Sequence, residues 1–424
     1  MSDPELSFAR WRLPNGLEVI VHGDHTVPRV CVNVWYRVGS SDEGAGSSGF
    51  AHLYEHLFKE GLHLQGRRHY EVLRAAGASN ANASTSSDRT AYHETMPSNA
   101  LDVALWIESD RMGYFLPALT EARLAAQKAV VRQERRQRYE NAAYGAERFA
   151  IAAALFPEDH PHRHLTIGRH EDIESATRER VADFYRTWYV PANATLVLAG
   201  DVTEDEARAA VDRWFGSFPP SARPTRPMPV APPIARPAVI TVEDRFAALG
   251  RIHRAWHAPG AWGEGAFELD LLAQVLASPG TGRLWRRLIH EQRGAQRVQA
   301  WLDATRIGGS FHVAVDVQTG ASTAAIAEIR AILDEELAAA AASIDPGAAA
   351  RAITRREAGA LWRLDGLEAR ASQLQRSMLH LERPDGLAAE LARLRAVTAP
   401  SIAAAAARWL VPGAMVEVET IARA

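Results

Sequence analysis

The chain has 424 residues, of which 47% are hydrophobic and 23% charged, and its formal net charge is -3. This composition is typical of a globular protein, and the length predicts two or more folded units. The small net charge and the scattered arginines exclude a basic surface for nucleic acid or for an anionic membrane. Because Cys31 is the only cysteine, a metal site would have to use histidine and carboxylate ligands.

The N-terminal residues Met1 to Arg12 lack the basic and apolar segments of a signal peptide. No stretch of the sequence reaches the roughly 18 to 20 apolar residues that a membrane-spanning helix needs. We therefore predict a soluble, cytoplasmic protein, or a periplasmic one if a signal peptide has been removed.

The first part of the chain alternates between strand and helix patterns. The run Arg29 to Val38 places Val30, Val32 and Val34 on one face, which is the period of a half-buried strand. In chain order we predict strands at Leu17–His22 and Arg29–Val38, helices near Ser48–Glu60 and Arg67–Ala76, strands near Ser79–Ser86 and Arg89–Met96, helical stretches over Asn99–Tyr114, Glu121–Phe156 and Ile173–Trp188, and a buried strand at Ala194–Gly200.

A proline-rich segment, Phe218 to Pro237, follows and is the clearest boundary in the sequence. Prolines at this density remove backbone donors and favour an extended polyproline conformation, so the segment is typical of a semi-rigid linker. We predict an N-terminal domain over residues 1–217, a linker over 218–237 and a C-terminal domain over 238–424.

The second part repeats the order of elements in the first. Strands are predicted at Ala238–Glu243, Gly250–His257, Gln296–Ala304, Ser310–Gln318 and Ala414–Thr420, with helices at Gly265–Ala277, Gly282–Glu291 and, with breaks, Thr323–His380. The alanine runs Leu337–Ala342 and Ile402–Ala407 favour packed helix. The repeated order predicts a duplicated α+β unit: two similar halves, each an antiparallel-rich β-sheet packed with α-helices.

The helix near Ser48–Glu60 carries the sequence His52-Leu-Tyr-Glu55-His56. Residues four apart on a helix lie on one face with Cβ atoms about 6 Å apart, which suits two imidazoles binding one ion. Neutral imidazole and carboxylate suit Zn²⁺, and a catalytic zinc site keeps one position for water. Glu55 neighbours both histidines on this polar face, where it could accept a proton from that water.

A third ligand is required, and the residues alone leave it open. The strong helical pattern over Glu121 to Asn141 offers Glu121, Glu134 and Glu140. Glu134 follows an apolar pair, yet the residues alone favour a solvated side chain paired with Arg135, Arg136 or Arg138.

The motif H-x-x-E-H followed downstream by Glu134 resembles the inverzincin, or pitrilysin, family of metallopeptidases, M16. The family includes insulin-degrading enzyme and the mitochondrial processing peptidase. The resemblance covers nearly the whole chain. It extends to Pro14–Leu17, Gly39-Ser40 with Glu43, Gly49–Gly61, Asn82–Thr85 with Thr90–Tyr92, Tyr189–Asn193 leading into Leu196–Asp201, Gly282–Leu284 and Gly308-Gly309.

The resemblance implies a fold of the M16 and LuxS-like metallohydrolase type and one Zn²⁺ per chain. It implies that His52, His56 and Glu134 are the zinc ligands and that Glu55 is the general base. The strand around Asn82, Ala83, Ser84 and Thr85 would bind a peptide substrate by β-augmentation, which reads backbone and so accepts many sequences. The two halves of such enzymes usually enclose a chamber, which would admit unfolded or short peptides.

The sequence departs from this family at two places. Many relatives carry a second glutamate two helical turns before the ligand glutamate, where this chain has Gln127, an uncharged side chain that can still hydrogen-bond to a ligand. Catalytically complete relatives carry an Arg/Tyr pair in the second half, and the aligned positions here are His290 and Arg297. The resemblance therefore implies a heterodimer in which a homologous subunit supplies that pair.

Other candidate sites are set aside. His160, His162, His164 and His170 form a run in a proline-containing loop without the chelate geometry of a helix, so we predict a structural loop. His63, His69 and His93 are interpreted as hydrogen-bonded or surface residues. No G-x-S-x-G element or phosphate-binding loop is present. The alternative to a peptidase subunit is a non-catalytic structural or assembly subunit of a related complex.

Overall fold

A computed structural model of the chain describes residues 5–64, 66–230 and 237–423. Eleven strands lie within these residues, and all are short enough to belong to compact sheets. They are β1 (Ala9–Arg12), β2 (Glu18–Gly23), β3 (Arg29–Tyr36), β4 (Ser79–Thr85), β5 (Thr90–Pro97), β6 (Ala194–Gly200), β7 (Ala238–Asp244), β8 (Arg251–Ala258), β9 (Ala295–Thr305), β10 (Gly308–Val317) and β11 (Met415–Ala422).

The same residues contain sixteen α-helices and two π-helical segments. The helices are α1 (Phe50–Leu57), α2 (His69–Ala75), α3 (Leu101–Gly113), α4 (Phe115–Ala118), α5 (Glu121–Arg135), α6 (Gly145–Leu155), α7 (His170–Glu174), α8 (Arg178–Trp188), α9 (Glu204–Phe215), α10 (Ala266–Ala277), α11 (Arg283–Trp285), α12 (Thr323–Ala342), α13 (Pro346–Trp362), α14 (Leu367–Leu381), α15 (Gly386–Ala396) and α16 (Ala399–Trp409). The π-helical segments, Arg136–Glu140 and Arg286–Glu291, follow α5 and α11 directly.

The strands form two sheets with the same internal order. The first sheet runs β1-β2-β6-β3-β5-β4 and the second runs β7-β11-β8-β10-β9. In each sheet one neighbouring pair is parallel, β2 with β6 and β7 with β11, and the other pairs are antiparallel. Removing β1 from the first sheet makes the two orders equivalent. The predicted α+β class with two similar, antiparallel-rich halves is thereby confirmed.

Each sheet belongs to one compact unit, and each unit combines segments from distant parts of the sequence. Unit 1 consists of residues 1–133, 166–227 and 360–389, and unit 2 of residues 134–165, 228–359 and 390–424. Helix α14 therefore belongs to the unit of the first sheet, and helix α6 to that of the second. The sequence did not indicate this exchange of helices, and the boundaries at 217 and 238 stay a prediction.

Helix α14 packs on strands β3, β5 and β6 in unit 1. Its buried side chains Leu374 and Met378 contact Ile20 and Cys31, which explains the burial of the single cysteine. Gln375 adds polar contacts, donating to the backbone oxygens of Asn33 at 2.8 Å and Thr195 at 2.9 Å. Each fully buried aliphatic side chain in such an interface contributes about 1.5–3 kcal/mol to stability.

Helix α6 has the equivalent place in unit 2, where it packs on β7, β8 and β11. Ile151 and Leu155 of this helix contact Val416 and Val418 of β11. Its first turn carries the buried Glu147, which accepts hydrogen bonds from Thr420 at 2.8 Å and from His253 at 2.6 Å. A buried carboxylate with several donors is the satisfied arrangement that a low-dielectric interior requires.

Most predicted elements lie within two or three residues of the observed ones, and four were missed: β1, α4, α9 and α15. The continuous helix predicted over Glu121–Phe156 is wrong, because α5 ends in a π-helical segment and the chain turns before α6. Tyr144 adopts φ +61° at this turn, and a Cβ on Gly145 would lie 1.7 Å from the Tyr139 carbonyl oxygen. This break therefore depends on backbone packing at a single glycine.

The proline-rich segment has neither helix nor strand over residues 219–230, and its residues 231–236 lie outside the described residues. In the described part of the chain, no helix combines the length and the apolarity needed to cross a membrane.

Candidate metal centre

Helix α1 carries the H-x-x-E-H motif and begins after Gly49. Gly49 adopts φ +87°, and a Cβ at this position would lie 2.9 Å from the Cα of Gly168. Only glycine fits such a left-handed residue pressed against another backbone. The same loop is held by Asp172, which accepts a hydrogen bond from the Ser48 amide at 3.1 Å.

A buried carboxylate caps the N-terminus of α1. Glu43 accepts hydrogen bonds from the amides of Gly49 and Ala51, both at 2.8 Å. These donors lie at the helix N-terminus, where the backbone has no partner within the helix and the helix dipole favours an acceptor. Burial raises the pKa of Glu43 well above its ordinary value, and the two amide donors oppose that shift.

The apolar back of α1 packs into a cluster of aromatic rings, as the helical pattern predicted. The Tyr54 ring stacks on Tyr189 with centroids 4.6 Å apart, and Phe58 meets Phe115 edge-on at 4.9 Å. The Tyr54 hydroxyl donates to the backbone oxygen of Val181. Offset and edge-on ring pairs add about 0.5–1.5 kcal/mol beyond their buried area, so the cluster fixes the rotation of the helix about its axis.

A guanidinium holds the C-terminal end of the same helix. Arg123, in the first turn of α5, donates to the backbone oxygens of Leu57 and Glu60. These carbonyls belong to the last turn of α1 and the residues after it, where intrahelical donors are missing. Side chains thus satisfy the backbone at both ends of the motif helix.

His52, Glu55 and His56 lie together on the polar face of α1. One potential ligand atom from each lies within 4.8 Å of the others, and within the described residues this is the only such group of three. The imidazole centroids of His52 and His56 are 4.8 Å apart. Both histidines are buried, whereas Glu55 is partly exposed. The donors are the nitrogen and oxygen atoms that Zn²⁺ prefers in a site without thiolate.

Thr85 orients the carboxylate of Glu55. Its hydroxyl donates to Glu55 Oε2 at 2.8 Å. Thr85 ends strand β4, which packs against α1 and forms the edge of the first sheet. The predicted peptide-binding residues Asn82 to Thr85 therefore lie on an edge strand beside the motif helix.

The downstream candidates lie on or just after helix α5. Glu134 is in its last turn, where the side chain forms an ion pair with Arg138 at 3.0 Å. Glu121 begins the helix, and Glu140 follows it in the π-helical segment, bonded to Arg135 at 2.9 Å. Gln127 lies two turns before Glu134 on α5. The Glu134 side chain is only 16% exposed, so this ion pair is not at the open surface, and Glu134 is not one of the three clustered side chains on α1.

Of the two positions aligned with the Arg/Tyr pair, Arg297 lies on the second sheet and His290 lies just before that strand in sequence. His290 is exposed in the π-helical segment after α11. Arg297 is on β9, where its Nε donates to Asp316 at 2.7 Å.

The histidines set aside have other partners. His160 Nδ1 accepts a hydrogen bond from the His162 amide at 3.1 Å, so this run caps a short turn. His63 bonds to Asp110 at 2.5 Å, and His93 is 3.2 Å from Glu368. Burial lowers the pKa of His69 to about 4, which keeps its ring neutral.

Sequence reasoning missed the residues that hold α1 in place, Glu43 as a cap and Arg123 at the other end, and it missed the bond from Thr85 to Glu55. A weak signal for Glu43 was its position shortly before a glycine that opens a helix. Arg123 and Thr85 carried no local signal, because their partners come from other elements.

Two family models match the chain. Residues 18–162 match the insulinase model, peptidase family M16, and residues 175–355 match the model described as the peptidase M16 inactive domain. The matched segments together cover more than half of the chain, and the motif helix lies in the first of them.

Curated zinc proteases are similar in sequence. The zinc protease PqqE of Helicobacter pylori is 29% identical over 294 residues, 67% of this chain and 64% of that protein. The match thus spans slightly less than two thirds of that relative. An uncharacterized zinc protease of Mycobacterium leprae is 28% identical over 410 residues, 95% of this chain and 89% of that protein.

Solved structures have the same fold. The crystal structure of a protease from Helicobacter pylori has a TM-score of 0.88 at 23% identity and covers 98% of this chain and 99% of its own. The periplasmic protease PqqL of Escherichia coli has a TM-score of 0.78 at 17% identity; the match covers 100% of this chain and 48% of that one. At these identities the likeness concerns the fold.

The cap on α1 leads to a prediction about metal affinity. We expect Glu43→Ala to lower the free energy of unfolding by about 1–2 kcal/mol, because two helix N-terminal amides lose their acceptor. We expect it also to weaken Zn²⁺ binding about tenfold, because the ligand helix is held less firmly. Chemical denaturation and competition with a chromogenic chelator measure the two effects.

Glu71→Ala is the matched control. Glu71 caps the N-terminus of α2 through the Arg68 amide at 3.1 Å, and α2 carries none of the three clustered side chains. It should reduce stability without changing zinc affinity. Equal zinc affinity in the Glu43 and Glu71 variants would contradict the role given to the cap.

Proposed function

Since the chain belongs to the M16 peptidase family, we propose that it is the zinc-bearing catalytic subunit of a two-chain endopeptidase. The substrates in this proposal are unfolded or short peptides, hydrolysed inside an enclosed chamber, and the compartment is the cytoplasm. The observation that carries the proposal is the cluster of His52, Glu55 and His56 beside an edge strand.

The metal in this proposal is held by His52, His56 and Glu134, with Gln127 hydrogen-bonding near the third ligand. Two neutral imidazoles and one carboxylate make the donor set of a catalytic zinc site. The clustering of His52 and His56 supports the two histidine ligands, and Glu134 rests on the family resemblance. A Zn²⁺ ion held by these residues would lower the pKa of a bound water to about 7 and would polarise a carbonyl oxygen.

Glu55 serves as the proton carrier. Its carboxylate accepts a proton from the attacking water and then passes it to the leaving amine nitrogen. The hydrogen bond from Thr85 to Oε2 restrains the rotamer of this carboxylate. A base held in one rotamer gives up less entropy when the reaction begins.

Peptide binding falls to strand β4. The Ser86 amide donates to the Arg89 oxygen at 2.9 Å, and Ser84 pairs with Ala91 in the same antiparallel register. Because bonded and non-bonded positions alternate, the amides and carbonyls of Ala83 and Thr85 point away from β5. The Ala83 amide donates to Asn82 Oδ1 at 2.9 Å, a bond that an incoming peptide would replace. These backbone groups would then pair with an extended peptide, whose scissile bond would lie near Glu55.

A partner subunit completes the proposal. The Arg/Tyr positions hold His290 and Arg297, and Arg297 already binds Asp316. The match to the E. coli protease PqqL, which covers 48% of that chain, supports an arrangement in which another portion accompanies this one. The homologous partner would provide donors for the developing oxyanion.

Glu55→Gln tests the enzymatic role directly. We expect the variant to retain Zn²⁺ and to lose about 10²–10⁴-fold in kcat, because the amide cannot carry the proton. Metal analysis and a quenched-fluorescence peptide assay measure both quantities. Glu71→Gln, on α2, retains an acceptor oxygen for the Arg68 amide; it is the control and should behave as the wild type. Zinc-free protein, or normal turnover by the Glu55 variant, would favour a structural or assembly subunit.

A glutamate series tests the third ligand. We expect Glu134→Gln to weaken Zn²⁺ binding more than about 100-fold, since losing a ligand costs more than losing a supporting hydrogen bond. Glu121→Gln and Glu140→Gln, on and just after the same helix, should leave the affinity unchanged. Isothermal titration with Zn²⁺ distinguishes the three, and a loss confined to another glutamate would assign the ligand there.

Adding the partner tests the two-chain arrangement. We expect weak peptide hydrolysis by the isolated chain and a rise of about 10²–10³-fold in kcat when an M16-like chain with the Arg/Tyr pair is added. Size-exclusion chromatography should show both chains in one complex. Full activity of the single purified chain would contradict the need for a partner.

A further inference from the structure

Arg89 lies at the end of the β4–β5 hairpin, on the face of the sheet opposite Thr85. Its Nη1 donates to the backbone oxygen of Ser84 at 2.9 Å and to the Ser84 hydroxyl at 2.8 Å. The guanidinium carbon lies 4.5 Å from the ring centroid of Trp35. The side chain is thus held on two sides, by an edge-strand residue and by an indole of the neighbouring strand β3.

Ser84 is the residue between the two backbone positions that face outward. Side chains alternate along a strand, so Ser84 points toward the Arg89 face while Ala83 and Thr85 point toward α1. Arg89 therefore reaches the edge strand from behind, without contact with a peptide added to its free edge. Hydrogen bonds from a charged guanidinium are stronger than those between neutral groups. The two bonds from Arg89 therefore restrain a strand that has no neighbour on its other side among the described residues.

The other end of β4 is irregular. Asn80 adopts φ +53°, and the register with β5 shifts between Ser79 and Asn82. A bulge releases an edge strand from its neighbour and bends it. The regular part of β4 is therefore short, and the bonds from Arg89 hold it at the end nearest Glu55.

We propose that Arg89 is a positioning residue for peptide binding: it braces the edge strand so that the backbone of Ala83 and Thr85 is presented to an extended peptide. The peptide in this inference rests on the proposed peptidase function. The restraint of β4 by Arg89 depends only on contacts within the first sheet. The charged groups around Arg89 are compatible with a positively charged guanidinium. Burial and the nearby Arg376 lower the pKa of Arg89 to about 10, Glu55 and Asp88 oppose the shift, and the side chain stays charged at neutral pH.

The bracing is tested without turnover by hydrogen exchange of the full-length, zinc-loaded chain. We expect Arg89→Met to speed the exchange of the Asn82 and Ser84 amides about tenfold, because the strand opens more often once its brace is lost. Amides of helix α1 and the zinc content should not change. Arg89→Lys keeps one donor and the charge but loses the forked geometry, so its exchange should fall between the two.

Arg208→Met is the matched control. Arg208 also covers an indole, with its guanidinium 4.3 Å from the Trp11 ring centroid, but it lies on α9, away from β4 and β5. Its loss should leave hairpin exchange as in the wild type. Unchanged exchange in Arg89→Met, or equal changes in both variants, would overturn the bracing role.

Kinetics of the active complex separate this inference from the proposed function. We expect Arg89→Met to raise KM for peptides at least about fivefold with kcat within twofold, since ground-state and transition-state binding lose the same contacts. A fall in kcat at unchanged KM would overturn the positioning role. Absence of turnover by the wild-type complex would instead refute the peptidase proposal, and hydrogen exchange would still decide the bracing.

Discussion

The candidate site depends on how helix α1 is held at its two ends. Glu43 accepts the first free amides and Arg123 donates to the last free carbonyls, while the aromatic cluster behind the helix prevents its rotation. A helix of eight residues is too short to be stable on its own, so these contacts determine its order. Two histidines one turn apart chelate an ion well only if that turn is rigid. The affinity for the metal therefore depends on the contacts that order α1.

The exchange of helices between the two units follows from the duplicated fold. Each sheet has one face that an amphipathic helix must cover, and in each unit that helix comes from the other part of the sequence: α14 for the first sheet and α6 for the second. Leu374, Met378, Ile151 and Leu155 form the apolar part of these interfaces, beside the buried polar contacts of Gln375 and Glu147. Because each unit needs a helix from a distant segment, neither sequence half contains all of its own core.

The edge strand β4 connects the fold to the proposed chemistry. Edge strands expose unpaired backbone groups, and soluble proteins usually protect them because such edges aggregate. Here the strand remains open beside Glu55, yet it is short, bulged at one end and bonded to Arg89 at the other. An edge of this kind can accept one extended peptide while offering little length for pairing with another sheet. Thr85 serves both sides of this arrangement, with its backbone facing outward and its hydroxyl on Glu55.

The amino-acid sequence alone determined the spacing of His52, Glu55 and His56, the alternation of the main strands and the repeated order of elements, because helix and strand periods are local properties of the chain. The family resemblance added Glu134 and the missing Arg/Tyr pair, which no local pattern identifies. Only the tertiary structure decided which residues cap α1, that Thr85 bonds to Glu55 and that Arg89 bonds to Ser84. It also decided that α14 packs on the first sheet and α6 on the second. Most of those contacts join residues far apart in sequence. A hydrogen bond between distant elements produces no periodic pattern in the sequence of either element, so it cannot be predicted from that sequence.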